Sequence, residues 1–483
     1  MFDNYNTLGF RAYYKNNLST KICKSFEEAN ADVSGTNLID AAAVLAILKK
    51  NYPLGDRTLI ESIKKIPWMA KPDNSGWSYS ELPSHGRVNL SEDVIGSRLI
   101  QLLEREALSF ISDKKVVGIL LSGGMDSRIV AGILNKLKSE NRYSGDIVAI
   151  SWGHNDSRDI VYSRRIAARF GWDFISLPVT PEVLFDNIDL AATMGAEFSP
   201  VHLHAMYSVS KIKGLDGILA GSYGDSIGRG EYSGVKVSQL PDLMSKDFNH
   251  FSFMLKAAQK KVINDLHKDI KSLRNRYPGR SEFSYREIEQ QAHYMRRQLN
   301  ACMSIIDDSI PLYQMFTSPD VFGFVWSLDP VCRNDDIYES ILDIIPGNLL
   351  DIPWARTGKR YNSDGSKAED SFSSSYHRYG DWLRNDLREY VVTNIRSGAL
   401  QRLGLFNESS LNKWCNLWSR SNSSKADRLD EKMAWLASMS IFLERYRVAS
   451  EVNFEHQFLD TLSEVKSRLH TFAYHSYLRI KER

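Results

Sequence analysis

Between residues 116 and 220 the chain alternates short, unbroken apolar runs with longer segments whose apolar residues recur every three or four positions. The run from Val116 to Leu121 contains no polar residue. Gly217 to Ala220 is likewise apolar, and Ile147 to Trp152 and Phe174 to Leu177 are interrupted only by Ser151 and Ser176. Runs of this kind predict strands buried on both faces, as in a parallel sheet. The segments between them predict an apolar helix over Ile129 to Leu137 and a second helix over Arg158 to Phe170. Strands alternating with helices predict a right-handed, doubly wound parallel α/β sheet. In such sheets ligands sit beyond the carboxyl ends of the strands, where two glycine-rich segments of this chain fall.

The flanking regions carry other patterns. Gly9 to Tyr14 and Thr20 to Cys23 predict paired strands joined by a turn at Lys15, Asn16 and Asn17, and Ile39 to Leu48 predicts a short helix. Lys71 to Gly86, rich in Pro, Gly and Ser, predicts a connection. Ser91, Glu92, Asp93 and Val94 open a helix whose apolar positions are Val94, Leu99, Leu102, Leu103 and Ala107. Beyond about residue 236 the sequence turns helical, with long amphipathic segments at Leu255 to Arg274 and Arg286 to Ile306. Tyr361 to Ser375 and Ser419 to Lys425 are polar and read as loops, the first beside the candidate site. The expected organisation is a small N-terminal α+β part over 1–90, a main unit over 91–460 with a helical C-terminal half, and a helical tail over 461–483. No internal repeat is visible.

Composition narrows the class. The 483 residues are 43% apolar and 25% charged, which suits a sizeable buried core. With 61 basic and 59 acidic residues the net charge is +2, so charge predicts no nucleic-acid footprint. No apolar stretch of about 18 residues appears, and no membrane span is expected. Residues Met1 to Tyr5 lack the basic and apolar regions of a signal peptide. Cys23, Cys302, Cys332 and Cys415 are scattered without a C-x-x-C pair, which argues against a zinc site or a disulfide framework and fits a reducing cytoplasm.

The chemistry concentrates in Ser122-Gly123-Gly124-Met125-Asp126-Ser127, between the first strand and its helix. Glycines let backbone approach phosphate oxygens, the two serines offer hydroxyls, and the N–H groups of a starting helix attract anions. Asp126 repels phosphate directly and therefore fits a Mg²⁺ ion that bridges the oxygens. No G-K-[ST] follows, and the spacing is not G-x-G-x-x-G, so neither a P-loop nor a dinucleotide fingerprint is present.

This loop resembles the pyrophosphate loop of the ATP-pyrophosphatase (adenine nucleotide alpha hydrolase-like) superfamily. It resembles more narrowly the synthetase domain of glutamine-dependent asparagine synthetases. Val117 to Leu121 before the loop, Ser151-Trp152 on the next strand and Arg158 to Tyr162 at the start of its helix follow that family's pattern. The similarity spans roughly residues 90 to 450 and continues weakly upstream through Asp56 to Ile63. It implies ATP and Mg²⁺ as cofactors, a nucleotide held by Leu121, Ser122, Gly123, Gly124, Asp126, Ser127, Ser151 and Gly221, and Mg²⁺ held by Asp126 and Asp225. Gly221-Ser222-Tyr223-Gly224-Asp225 occupies the place of the family's Ser-Gly-Glu-Gly-Ser-Asp segment, with Asp225 matching its aspartate. Ser222 replaces the glutamate that assists ammonia's attack. Ile352 to Lys359 resembles the segment with a catalytic lysine, which implies a charge-neutralising role for Lys359 and secondarily for Arg356. Ile310 to Tyr313 resembles the segment before it and is assigned to packing.

Two departures bear on the product. Phe2 follows Met1 where glutamine-dependent members have a nucleophilic cysteine, and the portion before residue 100 is too short for a glutaminase domain. The expectation is an ATP-dependent carbon–nitrogen ligase that adenylates a small-molecule or glycan carboxylate. Its nitrogen comes from free ammonia, a separate glutaminase or an amine already on the substrate. Aspartate, a uronic acid of a surface polysaccharide, and a peptide or metabolite closed into a ring all fit as acceptors. A tRNA-modifying enzyme and a non-catalytic nucleotide-binding regulator are the rival classes, and a homodimer stays open. His202 and His204 fall on a strand-like alternation without a third metal ligand, and Trp326, Trp382, Trp414 and Trp418 read as core.

Overall fold

The computed structural model describes residues 13–18, 21–31, 35–73, 76–228, 234–240, 242–245, 247, 249–361, 368, 370–418 and 423–481, with the backbone alone at 76, 234, 235, 238 and 472–481. Most of the Gly9 to Tyr14 expectation therefore lies outside the described residues. Its end, β1 (Tyr14–Asn16), pairs antiparallel with β2 (Ile22–Cys23). Lys15 and Asn16 thus belong to a strand, and the turn begins at Asn17, because Asn16 continues the ladder by pairing with Ile63 of a third strand, β4 (Ile63–Lys65).

Between these lie α1 (Phe26–Ala31), β3 (Asn37–Leu38) and α2 (Ala41–Lys50). Asp40 precedes α2 and accepts the Ala43 N–H at 3.0 Å, so its cap starts the helix two residues later than the apolar pattern suggests. The connection expected at Lys71 to Gly86 contains a hairpin, β5 (Ala70–Asp73) with β6 (Gly76–Tyr79).

The centre is a five-stranded parallel sheet of order β11-β10-β7-β8-β9. Its strands are β7 (Val116–Leu120), β8 (Asp146–Trp152), β9 (Asp173–Leu177), β10 (Gly217–Ala220) and β11 (Leu312–Gln314). The packing stretch at Ile310 to Tyr313 supplies the edge strand. Side chains alternate between two cores. Val117, Ile119, Ala149, Leu219 and Tyr313 pack on one face against α3 (Glu92–Ile111), α4 (Met125–Ser139) and α5 (Arg158–Phe170). Leu120, Ile150, Ile218 and Ala220 pack on the other, with residues from α6 (Pro181–Thr193), α7 (Met206–Ser210) and the segment 301–310. Both faces are covered, and this is why the strands read as unbroken apolar runs.

Val94, expected on the inner stripe of α3, is half exposed at 51%. The buried stripe runs through Ile95, Leu99, Leu102 and Leu103, and one position along a helix rotates a side chain by about 100°.

A third core joins distant parts of the sequence. It holds α2 together with α8 (Lys256–Arg276), α14 (Arg388–Ile395) and α17 (Arg428–Arg445). β3 also pairs parallel with β12 (Val448–Ala449). The helix expected over Arg286 to Ile306 divides into α9 (Glu282–Glu289), a π-helical stretch Gln290–Leu299 and α10 (Ser304–Asp307). The remaining helices are α11 (Pro319–Ser327), α12 (Asp336–Ile344), α13 (Tyr379–Arg384), α15 (Ala399–Arg402), α16 (Glu408–Leu417) and α18 (Phe458–Lys481). Among the described residues, no helix is long and apolar enough to cross a membrane. Trp326, Trp382, Trp414 and Trp418 are all buried.

Candidate active site

From β7 the chain moves one way across the sheet to β8 and β9, then returns to the other side of β7 with β10 and β11. The order reverses between β7 and β10, and loops leaving such a point open a crevice at the carboxyl ends. Leu120 and Ala220 are register partners at the ends of those strands. The SGGMDS loop leaves one and the Gly221 to Asp225 loop leaves the other, so both start at one level.

The first loop is internally braced. Ser127 Oγ accepts the Ser122 N–H at 3.1 Å and donates to the Ser122 carbonyl at 3.2 Å. Ser122 Oγ accepts the Gly124 N–H at 3.1 Å and lies 3.1 Å from Ser127 Oγ. Gly124 has extended backbone and is followed by α4, whose first turn carries Asp126. Leu121 is buried and its N–H donates to Ile150, while Ser151 is buried on β8 one residue further on.

The second loop lies directly on the first. A Cβ added at Gly221 would come within 2.7 Å of the Asp126 carbonyl carbon and the Ser127 nitrogen. A Cβ at Gly224 would come within 2.5 Å of Asp126 Oδ1. Only glycines allow this approach, and it brings the segments of Asp126 and Asp225 together. Between them Tyr223, buried, holds φ at 72°, a left-handed conformation that a bulky residue adopts at a cost of about 1–3 kcal/mol. Gly224 is tied from outside by the Tyr338 hydroxyl, which donates to its carbonyl at 2.9 Å.

The third segment docks on the same loop. The Ala355 N–H donates to the Gly123 carbonyl at 3.1 Å, and a Cβ at Gly123 would meet the Ala355 methyl at 2.6 Å. Residues Trp354 to Lys359 form a tight turn, with the Trp354 N–H on the Lys359 carbonyl at 2.8 Å and Gly358 at φ 70°. Arg356 is exposed with its guanidinium 5.6 Å from the Trp354 ring centre, and Lys359 is half exposed. All three segments singled out in the sequence therefore meet around Gly123 and Asp126.

Three supporting residues carried no sequence-level role. Asp159 accepts the Gly123 N–H at 3.1 Å, and burial pushes its carboxyl pKa up. Arg128, fully buried, donates to four carbonyls: Gly123 (3.2 Å), Leu349 (3.0 Å), Ile352 (2.6 Å) and Pro353 (2.9 Å). It stitches the first loop to the third, and burial lowers its pKa to about 10. Asp370 bonds the Tyr162 hydroxyl and lies 3.4 Å from Arg158 Nε. Of the polar stretch expected as a loop beside the site, residues 362–367 and 369 lie outside the described residues. Its end is fastened to the start of α5 by Arg158 N–H to Ser373 carbonyl at 2.9 Å.

His202 and His204 are not on a strand. They belong to a 3-10 turn at Pro200–Leu203 and to the following residue, where His204 has φ 46°, because Pro200 opens a helical turn that Asn187 fastens through the His204 carbonyl. Both are partly buried, and burial lowers the His204 pKa to about 3. Among the described residues no group of three His, Cys, Asp or Glu could hold a metal alone. Two facing loops with one carboxylate each fit Mg²⁺ only if phosphate oxygens and water complete the sphere.

Residues 100–314 match the family model for asparagine synthase. That stretch therefore carries an asparagine synthase-type domain, which supports an ATP-utilising enzyme of the ligase kind. No curated protein matches the chain. Solved structures similar to it include the U34-tRNA thiolase NcsA from Methanococcus maripaludis with its [4Fe-4S] cluster, at 12% identity and a TM-score of 0.25, covering 72% of this chain and 83% of that one. NMN synthetase from Francisella tularensis is 11% identical with a TM-score of 0.20, covering 46% of this chain and 93% of that one. NAD+ synthetase from Burkholderia pseudomallei is 13% identical with a TM-score of 0.22, covering 54% and 89%.

Proposed function

We propose that the asparagine synthase-type domain of this chain adenylates a substrate carboxylate with ATP and passes the acyl group to ammonia or an amine. The observation that carries the reading is the contact of Gly221 and Gly224 with Asp126 at the reversal of strand order. It brings two carboxylate-bearing loops together where sheets of this kind receive their ligands.

In this reading the N–H groups opening α4 and the hydroxyls of Ser122 and Ser127 bind phosphate oxygens, and Leu121, Ser151 and Gly221 border the nucleotide. Asp126 and Asp225 would hold Mg²⁺, which neutralises charge on the β and γ phosphates. Lys359, backed by Arg356, offsets the charge that develops as the carboxylate oxygen attacks the α-phosphorus and the bond to pyrophosphate breaks. Ammonia or an amine then attacks the acyl carbon, AMP leaves with the bonding electron pair, and a proton is lost from nitrogen. Ser222 stands where a glutamate would assist that step, so the proton passes to another base or to water. A separate glutaminase or free ammonia supplies nitrogen, and the acceptor class includes amino acids, glycan uronates and cyclising peptides.

The test is ATP–pyrophosphate exchange across a panel of carboxylates. Exchange should appear with one class only and vanish in Asp126→Ala. Exchange that survives in Asp126→Ala at the wild-type rate would remove the loop from the chemistry. Hydrolysis of glutamine by the chain alone would contradict the separate nitrogen source.

A further inference from the structure

Helix α18 is inverted relative to a helix that packs on a core. At 3.6 residues per turn, Phe458, Leu462, Val465 and Leu469 fall within a band of about 60°, with Leu459 about 60° beyond it. These side chains are 75%, 49%, 43%, 66% and 59% exposed, respectively. The opposite face, made of Asp460, Glu464, Ser467 and Thr471, is buried.

Polar bonds fix this orientation. Asp460 accepts the Lys256 N–H at 2.7 Å and the Gln457 N–H at 2.9 Å. Glu464 accepts from Asn407 Nδ2 at 3.0 Å and Ser409 Oγ at 3.2 Å and pairs with Lys413. Rolling the helix to bury its leucines would strip two carboxylates of their donors, so these bonds oppose that rotation.

The charge on the outward side has one sign. Over residues 458–471 both acids of the helix turn inward, while Lys466 and Arg468 are exposed. The same 3.6-residue turn sets these two cations on opposite edges of the apolar band. Lys256, Lys260 and Lys261 of α8 line a recess shared with Gln457 and Leu459.

We infer that this face docks on an anionic lipid surface, with α18 lying in its plane. The leucines and Phe458 enter the acyl boundary, and the flanking cations sit at the level of the headgroup phosphates. A convex apolar band edged by cations on both sides suits a plane better than a partner's groove. A second copy of the chain meets the same cations across a two-fold axis and is disfavoured by like charge.

The experiment is co-sedimentation of the full chain with vesicles of phosphatidylcholine alone or mixed with phosphatidylglycerol, at low and high salt. Wild type should pellet with the mixed vesicles at low salt, and binding should fall as salt screens the charges. Leu462→Glu with Leu469→Glu should abolish pelleting without moving the thermal midpoint, because both positions are exposed. Lys466→Gln with Arg468→Gln should weaken partition by about fivefold per cation. Absence of partition into anionic vesicles overturns the inference, as does partition unchanged in the leucine variant. A soluble dimer that the leucine variant dissociates would assign the face to a second copy instead.

Discussion

The Asp159 carboxylate accepts the Gly123 backbone N–H at 3.1 Å, so a side chain on α5 holds the tip of a loop that belongs to α4. An anion-binding loop needs its donors aimed before the anion arrives, and this bond anchors one end of that arrangement. Asp159→Ala should leave the fold intact while lowering pyrophosphate exchange by about tenfold to a hundredfold, chiefly through KM for ATP. Asp159→Asn, whose amide oxygen still accepts, should recover most of the loss. A variant in which kcat alone falls would argue against a positioning role.

Gly224 gives a sharper prediction about the reacting centre. Its absent Cβ leaves room for Asp126 Oδ1, which would otherwise lie 2.5 Å away. Gly224→Ala should displace that carboxylate and reduce exchange by about a hundredfold, the loss expected when one transition-state contact is misplaced. Gly35, with nothing within 4 Å of a built Cβ, is the control, and Gly35→Ala should be silent.

Arg128 should dominate local stability. Arg128→Met leaves four carbonyls without their donor and is expected to cost about 3 kcal/mol or more, read as a fall in the urea midpoint. Arg128→Lys keeps the charge, but an ammonium cannot span four carbonyls, so it should recover less than half. Equal stability of Arg128→Lys and wild type would show that charge alone, not the fork geometry, holds the two loops.

Stability should also depend on pH through Lys432 of α17. It is 2% exposed, its ammonium donates to the Ile47 carbonyl at 2.6 Å, and burial lowers its pKa from 10.5 to about 7. Between about pH 7 and 10.5 the unfolded chain holds a proton here that the folded chain lacks, so this group makes stability rise with pH, by at most about 1.4 kcal/mol per unit. Below pH 7 the cost of burying the charged amine is fully present. Lys432→Met should remove this slope in urea titrations run across that range. An identical slope in the variant would mean that another group is responsible.

The sheet was legible because it is covered on both faces. The central strands β7 and β10 had to be apolar throughout, and helix α5 spans the expected Arg158 to Phe170, between the Ser157 cap and Gly171. The glycine loops were legible because close backbone approach leaves few residue choices. Other features depend on contacts distant in sequence. The hairpin of β5 and β6 carries no alternation, since Pro72 and Asp73 occupy one strand. The division of the segment after Arg286 into α-, π- and 3-10 turns follows from how Arg296, Arg297 and Gln298 reach partners far away. Asp159 lay within a segment singled out by resemblance, yet its role appears only when α5 is packed beside α4. Arg128 gave one unused signal, an arginine inside the apolar stripe of a helix.

The pairing of β3 with β12 joins residues 37–38 to residues 448–449. Asn37 also donates to the Tyr446 carbonyl at 2.6 Å, and Lys432 reaches back to Ile47. A nascent chain leaving the ribosome therefore presents α2 long before the surface that covers it exists. Its apolar side must wait through most of synthesis, shielded by provisional contacts or by a chaperone, until the segment around residue 449 emerges. Ribosome-bound fragments that stop short of this point should expose α2 to protease, whereas the released chain should protect it.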